Sequence, residues 1–164
     1  MELNYVFRRG LSEIDLAPYD ALAVVFACSD DRFVPTVQGF LASKGVGWDR
    51  VFIAGGAKVL ASPEPFPIIP SFLMRLFRVS VTERHAAFFQ IGRSVLQHKT
   101  RKVMLFNHID CKEYPYQSDP EQEIIFHTQE LRKAHAVVEA AYSTLVIELY
   151  LIDAKGVISI PVHK

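Results

Sequence analysis

The amino-acid sequence predicts an α/β fold in which a mostly parallel central sheet, ending in one antiparallel strand, is flanked by helices. Three observations carry that reading. Short, unbroken apolar runs such as residues 21–28, A-L-A-V-V-F-A-C, suit strands buried on both faces. Segments with apolar residues at helical spacing alternate with those runs. The last two runs are separated only by Asp153-Ala154-Lys155-Gly156, a turn sequence that permits a hairpin.

The first strand, residues 21–28, ends at a cysteine. Val34 to Lys44 has helical spacing and stops at Gly45. Residues 50–54, R-V-F-I-A, read as a second strand closed by Ala54-Gly55-Gly56, where the glycines give the backbone room to turn or to approach a ligand. Ser80-Val81-Thr82-Glu83 is a capping-box pattern that opens a helix running to about His98. A third strand over residues 102–107 leaves His108 at its carboxyl end, with Cys111 one short loop further on. Asp119-Pro120-Glu121-Gln122 is a helix start with an acidic N-cap and a proline in the first turn. Ile124, Leu131, Ala134, Val138 and Ala141 then recur at helical period, so this helix reaches about Tyr142 and buries one stripe. Residues 145–152 form a fourth strand, and residues 157–161 fold back against it.

A chain of 164 residues suits one domain, here residues 1–164, and can bury about two thirds of its unfolded surface. Eighteen basic and eighteen acidic residues cancel, so neither a nucleic acid nor an anionic membrane is an expected partner. The N-terminus lacks the basic start, apolar centre and small-residue cleavage site of a secretory signal, so a cytoplasmic location is expected. In that reducing compartment two cysteines are thiols or metal ligands more often than a disulfide. The most apolar stretch, residues 63–81, is broken by Pro65, Pro67 and Pro70 and carries Arg75 and Arg78; it cannot span a membrane and reads as core or as an oligomer contact.

The chemistry lies around the two cysteines. Cys28-Ser29-Asp30-Asp31-Arg32 and His108-Ile109-Asp110-Cys111 together supply two thiolates, an imidazole and a carboxylate, which outlines a zinc site. Given this composition, one Cys with Asp at +2 and Arg at +4 and another with His at −3 arises by chance roughly once in ten thousand, so two inert buried thiols are the weaker reading. C-x-D-x-R followed about eighty residues later by H-x-x-C, with Ala54-Gly55-Gly56 between, resembles the β-class carbonic anhydrases. The resemblance covers roughly residues 20 to 160.

That resemblance implies the strand order 2-1-3-4 before the antiparallel last strand, which would bring Cys28 beside His108. It implies Zn2+ held by Cys28, His108 and Cys111, and reversible hydration of carbon dioxide to bicarbonate by hydroxide carried on the zinc. Asp30 and Arg32 take the catalytic roles: Asp30 either closes the zinc shell or pairs with Arg32 and accepts from the hydroxide. Gly55 and Gly56, with Phe33 and Val34, are the candidate walls for a small apolar substrate. Two thiolates would cancel the charge of the metal, so its water would be less acidified than in an all-His site, where the pKa is about 7; activity should rise toward alkaline pH. The family also implies a homodimer or a larger homo-oligomer. Two alternatives stay open: a non-catalytic zinc protein of the same fold, and a zinc hydrolase of another small substrate.

The sequence departs from the family where Phe52-Ile53 replaces Arg-Asn before Ala-Gly-Gly, and where Lys112 replaces the glycine after the second Cys. Other histidines read plainly. His127 and His135 are surface or half-buried residues of the late helix; His85, His98 and His163 have no ligand neighbours. Asp31 reads as solvated, and Asp110 as a hydrogen-bonding residue of its loop.

Overall fold

The structure, a computed structural model, describes residues 19–45, 47–62 and 83–162. Its elements in chain order are β1 (Ala23–Ala27), α1 (Val34–Lys44), β2 (Trp48–Phe52), α2 (Lys58–Ala61), α3 (Glu83–His98), β3 (Lys102–His108), α4 (Pro120–Ala141), β4 (Val146–Asp153) and β5 (Gly156–Ile160). The sheet order is β2-β1-β3-β4-β5. The first four strands run parallel and β5 pairs antiparallel with β4, as the sequence predicts.

β1 is apolar throughout because both of its faces are covered. Val24 and Phe26 join Val103 and Leu105 of β3 in a core with Ala87 and Ile91 of α3 and Leu131, Ala134 and Val138 of α4. Ala23, Val25 and Ala27 point the other way, onto Val37 and Leu41 of α1 and onto Met104 and Phe106. β1 lies between β2 and β3, with Phe26 opposite both Val51 and Leu105, so the carboxyl ends of β1 and β3 lie side by side. In a parallel sheet that is where a crevice forms and sites are built.

The helix signals hold locally. Asp119 caps α4, its carboxylate accepting from the Glu121 amide at 2.9 Å. The Asp153 carboxylate accepts from the Lys155 and Gly156 amides at 2.8 and 2.9 Å and closes the final hairpin. One boundary differs: β2 starts at Trp48 and ends at Phe52, two residues before the expected span. It is the edge strand and half-exposed, so Asp49 and Arg50 interrupt the apolar run that would have marked its start. The four-residue helix α2 has no periodic signature at all. The Ser80 cap and the apolar stretch 63–81 lie outside the described residues.

Candidate metal centre

Cys28 directly follows β1, His108 is the last residue of β3, and Cys111 sits in the loop beyond it. The parallel pairing therefore brings together side chains eighty positions apart. The two sulfurs and a ring nitrogen lie within 4.8 Å of one another, the one such convergence of three or more Cys, His, Asp or Glu ligand atoms among the described residues. Tetrahedral zinc holds its ligand atoms roughly 3.5–3.8 Å apart, so closing these three on one ion takes side-chain adjustments of about an ångström.

The ring of His108 is already set for such an ion. Its Nδ1–H donates to the Ile109 carbonyl at 2.7 Å, which leaves the Nε2 lone pair as the free ligand. Nε2 is buried without a nitrogen or oxygen in hydrogen-bond range, and the groups that face it are the Cys28 sulfur and, at 4.0 Å, Asp30 Oδ2. An unpaired buried nitrogen costs stability unless something outside the chain takes it up. Phe33 stacks on the ring at 4.2 Å between centroids and 24° between planes, helping to fix its orientation.

Both sulfurs accept main-chain N–H groups: Cys28 from Asp30 and Gly55, Cys111 from Glu113. The titrations of the two are coupled. The Cys111 thiol lowers the pKa of Cys28, and the Cys28 thiolate in turn raises that of Cys111. Two thiolates this close need a nearby cation to coexist, which a divalent metal supplies. The residues present thus fit zinc by donor type, by number and by the orphaned nitrogen.

Gly55 and Gly56 lie against this cluster rather than apart from it. Gly55 has φ +78° and offers its amide to Cys28; Gly56 has φ +56°. A Cβ on Gly56 would stand 2.5 Å from the Phe106 carbonyl oxygen and 2.9 Å from the Cys28 nitrogen, so only glycine lets this turn touch both central strands.

Asp30 is paired rather than turned into the ligand cluster. Arg32 Nη2 donates to Asp30 Oδ2 at 2.7 Å and Nε to Oδ1 at 3.0 Å, a side-on bidentate pair, and the Arg32 amide adds a third bond at 3.0 Å. These donors, Arg32 first, hold the Asp30 carboxyl at about 2, well below the carboxylate range. Asp30 Oδ2 stands 4.0 Å from His108 Nε2. Asp31 is exposed, as expected.

Three neighbours escape a reading of the sequence. Asp110, expected to bond within its loop, also reaches Arg32 at 2.9 Å. It sits at φ +53°, a left-handed conformation that Asp tolerates, while Lys112 keeps ordinary backbone angles and needs no glycine. Glu123 of α4 accepts from the Asp110 amide at 2.6 Å. His127 corrects an expectation of a surface or half-buried residue: it is buried, its ring edge-on to Tyr114 and Phe126 at 4.9 and 5.5 Å. His135 is half-buried. His98 bonds not a metal ligand but Asp49, at 2.7 Å. No sequence signal marks any of the three long-range contacts.

Fold and site together define an α/β protein whose central strands present a Cys-His-Cys group able to hold a metal. The fold is that of the β-carbonic anhydrases. The chain superposes on one of two tetrameric β-carbonic anhydrases from Sordaria macrospora with TM-score 0.57 at 11% identity, over 88% of this chain and 82% of that one. It matches β-carbonic anhydrase isoform I of Trichomonas vaginalis with TM-score 0.54 at 12% identity, over 92% and 87%. A carbonic anhydrase from Glaciozyma antarctica gives TM-score 0.54 at 14% identity, over 88% and 84%. No protein-family model matches the sequence. Nor does a curated protein. The likeness is one of architecture.

Proposed function

We propose that this chain is a divergent zinc-dependent carbonic anhydrase that interconverts carbon dioxide and bicarbonate. The observation that carries the reading is the buried, unpartnered His108 Nε2 facing two sulfurs at the carboxyl ends of β1 and β3, with Asp30 drawn onto Arg32 beside them. Cys28, His108 and Cys111 would hold the zinc, and their two thiolates balance its charge. Bound zinc would supply Lewis acidity that makes water a competent nucleophile, less strongly acidified here than beside three histidines because the two thiolates balance the metal's charge.

The chain's own residues do the rest. Asp30, ionised down to about pH 2, offers Oδ2 as a hydrogen-bond acceptor beside the ligand set, and so orients the attacking oxygen. Arg32 holds that carboxylate in one plane, which a lysine could not do. Phe33, stacked on His108, gives the substrate an apolar wall. Gly55 and Gly56 would meet the substrate through main-chain atoms alone, because the space a side chain would take there is filled by Lys58, Glu113 and the strand backbone.

The same reading takes residues 1–164 as one cytoplasmic domain that assembles as a homodimer or a larger homo-oligomer, without nucleic acid or membrane. In support of assembly, a structural neighbour is a tetramer, and Phe89 and Leu96 expose 68% and 84% of their surface along α3. Among the described residues no helix is long and apolar enough to cross a membrane. Stopped-flow hydration of carbon dioxide by zinc-loaded protein, run beside Asp30→Asn, tests the activity: wild type should exceed buffer and the variant should fall by about 10²-fold or more. Equal inactivity of both, with zinc bound one to one, would point to a structural metal instead.

A further inference from the structure

We propose that Asp110 is a positioning residue that holds Arg32 from its outer edge and thereby keeps Asp30 out of the metal shell. The inference rests on the zinc reading above and adds to it the device that sets Asp30.

The guanidinium of Arg32 lies between two carboxylates that use different edges of it. Asp30 takes Nε and Nη2 side-on. Asp110 takes the far end, its Oδ2 accepting from Nη1 at 2.9 Å and its carbonyl oxygen accepting from Nη2 at 3.3 Å. Four of the five N–H donors of the guanidinium are then committed, in two directions that fix its plane. Against Asp30 alone the arginine could pivot about its own stem; the second carboxylate opposes that rotation.

Asp110 is itself braced on three sides. Its other carboxylate oxygen is paired with Lys112 Nζ. Its amide donates to Glu123 Oε1 on the first turn of α4, and its backbone is held at φ +53° between the ligands His108 and Cys111. A rigid path therefore runs from helix α4 through the ligand loop to Arg32 and on to Asp30. It ends 4.0 Å from the free nitrogen of His108, close enough for a released Asp30 to swing into the shell. A carboxylate so placed is either a guest of Arg32 or a fourth ligand, and Asp110 favours the first.

The variant that isolates this role is Asp110→Gly, because glycine accepts the left-handed backbone and removes only the carboxylate. Cobalt(II) replaces zinc as the probe, and two readouts serve: its visible absorption bands, which change when an oxygen ligand enters a sulfur and nitrogen shell, and its affinity in competition with a chelator. Wild type should show one band pattern. Asp110→Gly should show a second, with cobalt bound about threefold more tightly, the order of effect a single exposed ion pair exerts. Adding Asp30→Asn to Asp110→Gly should restore the first pattern, which general damage to the loop would not do. Identical bands and affinity in wild type and Asp110→Gly would overturn the proposal and leave the metal reading intact. Weaker binding that Asp30→Asn fails to reverse would overturn it too, since Asp110 would then be a prop for the loop. Absence of cobalt binding by wild type would overturn both.

Discussion

Replacing Gly56 by alanine asks whether the turn after β2 is as tightly wedged against the ligand strands as it looks. The residue has φ +56°, where an L side chain costs about 1–2 kcal/mol. The new methyl would meet the Phe106 carbonyl oxygen at 2.5 Å, the Cys28 nitrogen at 2.9 Å and the Ala27 carbonyl carbon at 3.2 Å. All three belong to the backbone at the carboxyl ends of the central strands, so no flexible side chain can move aside. Overpacking of that kind costs a further 1–3 kcal/mol or so. Together Gly56→Ala should lose about 2–5 kcal/mol, a large part of the roughly 5–15 kcal/mol that holds a domain folded. Gly39→Ala is the control: Gly39 lies within α1, no atom stands within 4 Å of its added methyl, and helix propensity should raise stability by about 0.5–1 kcal/mol. Urea unfolding of the zinc-loaded forms, with the slope unchanged, reads both values. Any surviving Gly56→Ala should also bind zinc more weakly, because relief of the clash displaces Cys28. A Gly56→Ala protein within 1 kcal/mol of wild type would refute the wedge, and with it the account of why glycine stands there.

Two pH effects follow from buried groups. Burial holds the His127 imidazole below its ordinary pKa, so as the pH falls below about 6.5 the unfolded chain takes up a proton that the folded chain refuses, and stability drops. His127→Phe should flatten the fall in urea midpoint between pH 7 and 5; an unchanged slope would assign the effect elsewhere. The Asp49 carboxyl is pushed up by burial but more strongly down by donation from Ser94, His98 and Tyr19, leaving its pKa below the ordinary value. Its contribution is complete above about pH 4 and disappears as the pH falls through the lowered value. Asp49→Asn should therefore cost about 1–3 kcal/mol at pH 7 and progressively less below pH 4. A constant difference across that range would show that packing, not charge, is what Asn disturbs.

What the sequence discloses and what it hides divide along physical lines. β1 is legible because coverage on both faces demands an unbroken apolar run, and α4 because a cap, a proline and a buried stripe coincide. The start of β2 is hidden because an edge strand can expose Arg50 and place the polar Asp49 among Ser94, His98 and Tyr19, and α2 because four residues hold too little of a helical period. Each half of the ligand set is legible through local spacing. Their meeting is not, since it depends on β1 pairing with β3, an order that came from resemblance to a known family rather than from any residue. Contacts between Arg32 and Asp110, 78 positions apart, leave no trace in a single sequence. His127 reads as surface or half-buried because its helical neighbours are mixed, and it is packed against Tyr114, which lies outside its own helix.

The replacement of Arg-Asn by Phe52-Ile53 raises the question of what orders the glycine turn in the absence of polar side chains. The backbone of Ile53 does so. Its amide donates to the Ala27 carbonyl at 2.9 Å, and its carbonyl accepts from Ser29 at 3.3 Å and from Gly56 at 2.9 Å, so one residue ties the loop that follows Cys28 to the turn that carries Gly55. The side chains work as anchors: Phe52 packs into the core on the α1 side and Ile53 into the core on the opposite face. Backbone bonds continue the β1–β2 ladder past its last paired residues, and apolar burial on both faces keeps them in register. The ligand loop is thus ordered by the same forces that order the sheet. On the proposed reading, ordering of the metal ligands would rest on main chain and core, and recognition of the substrate on Asp30, Arg32 and the residues that hold them.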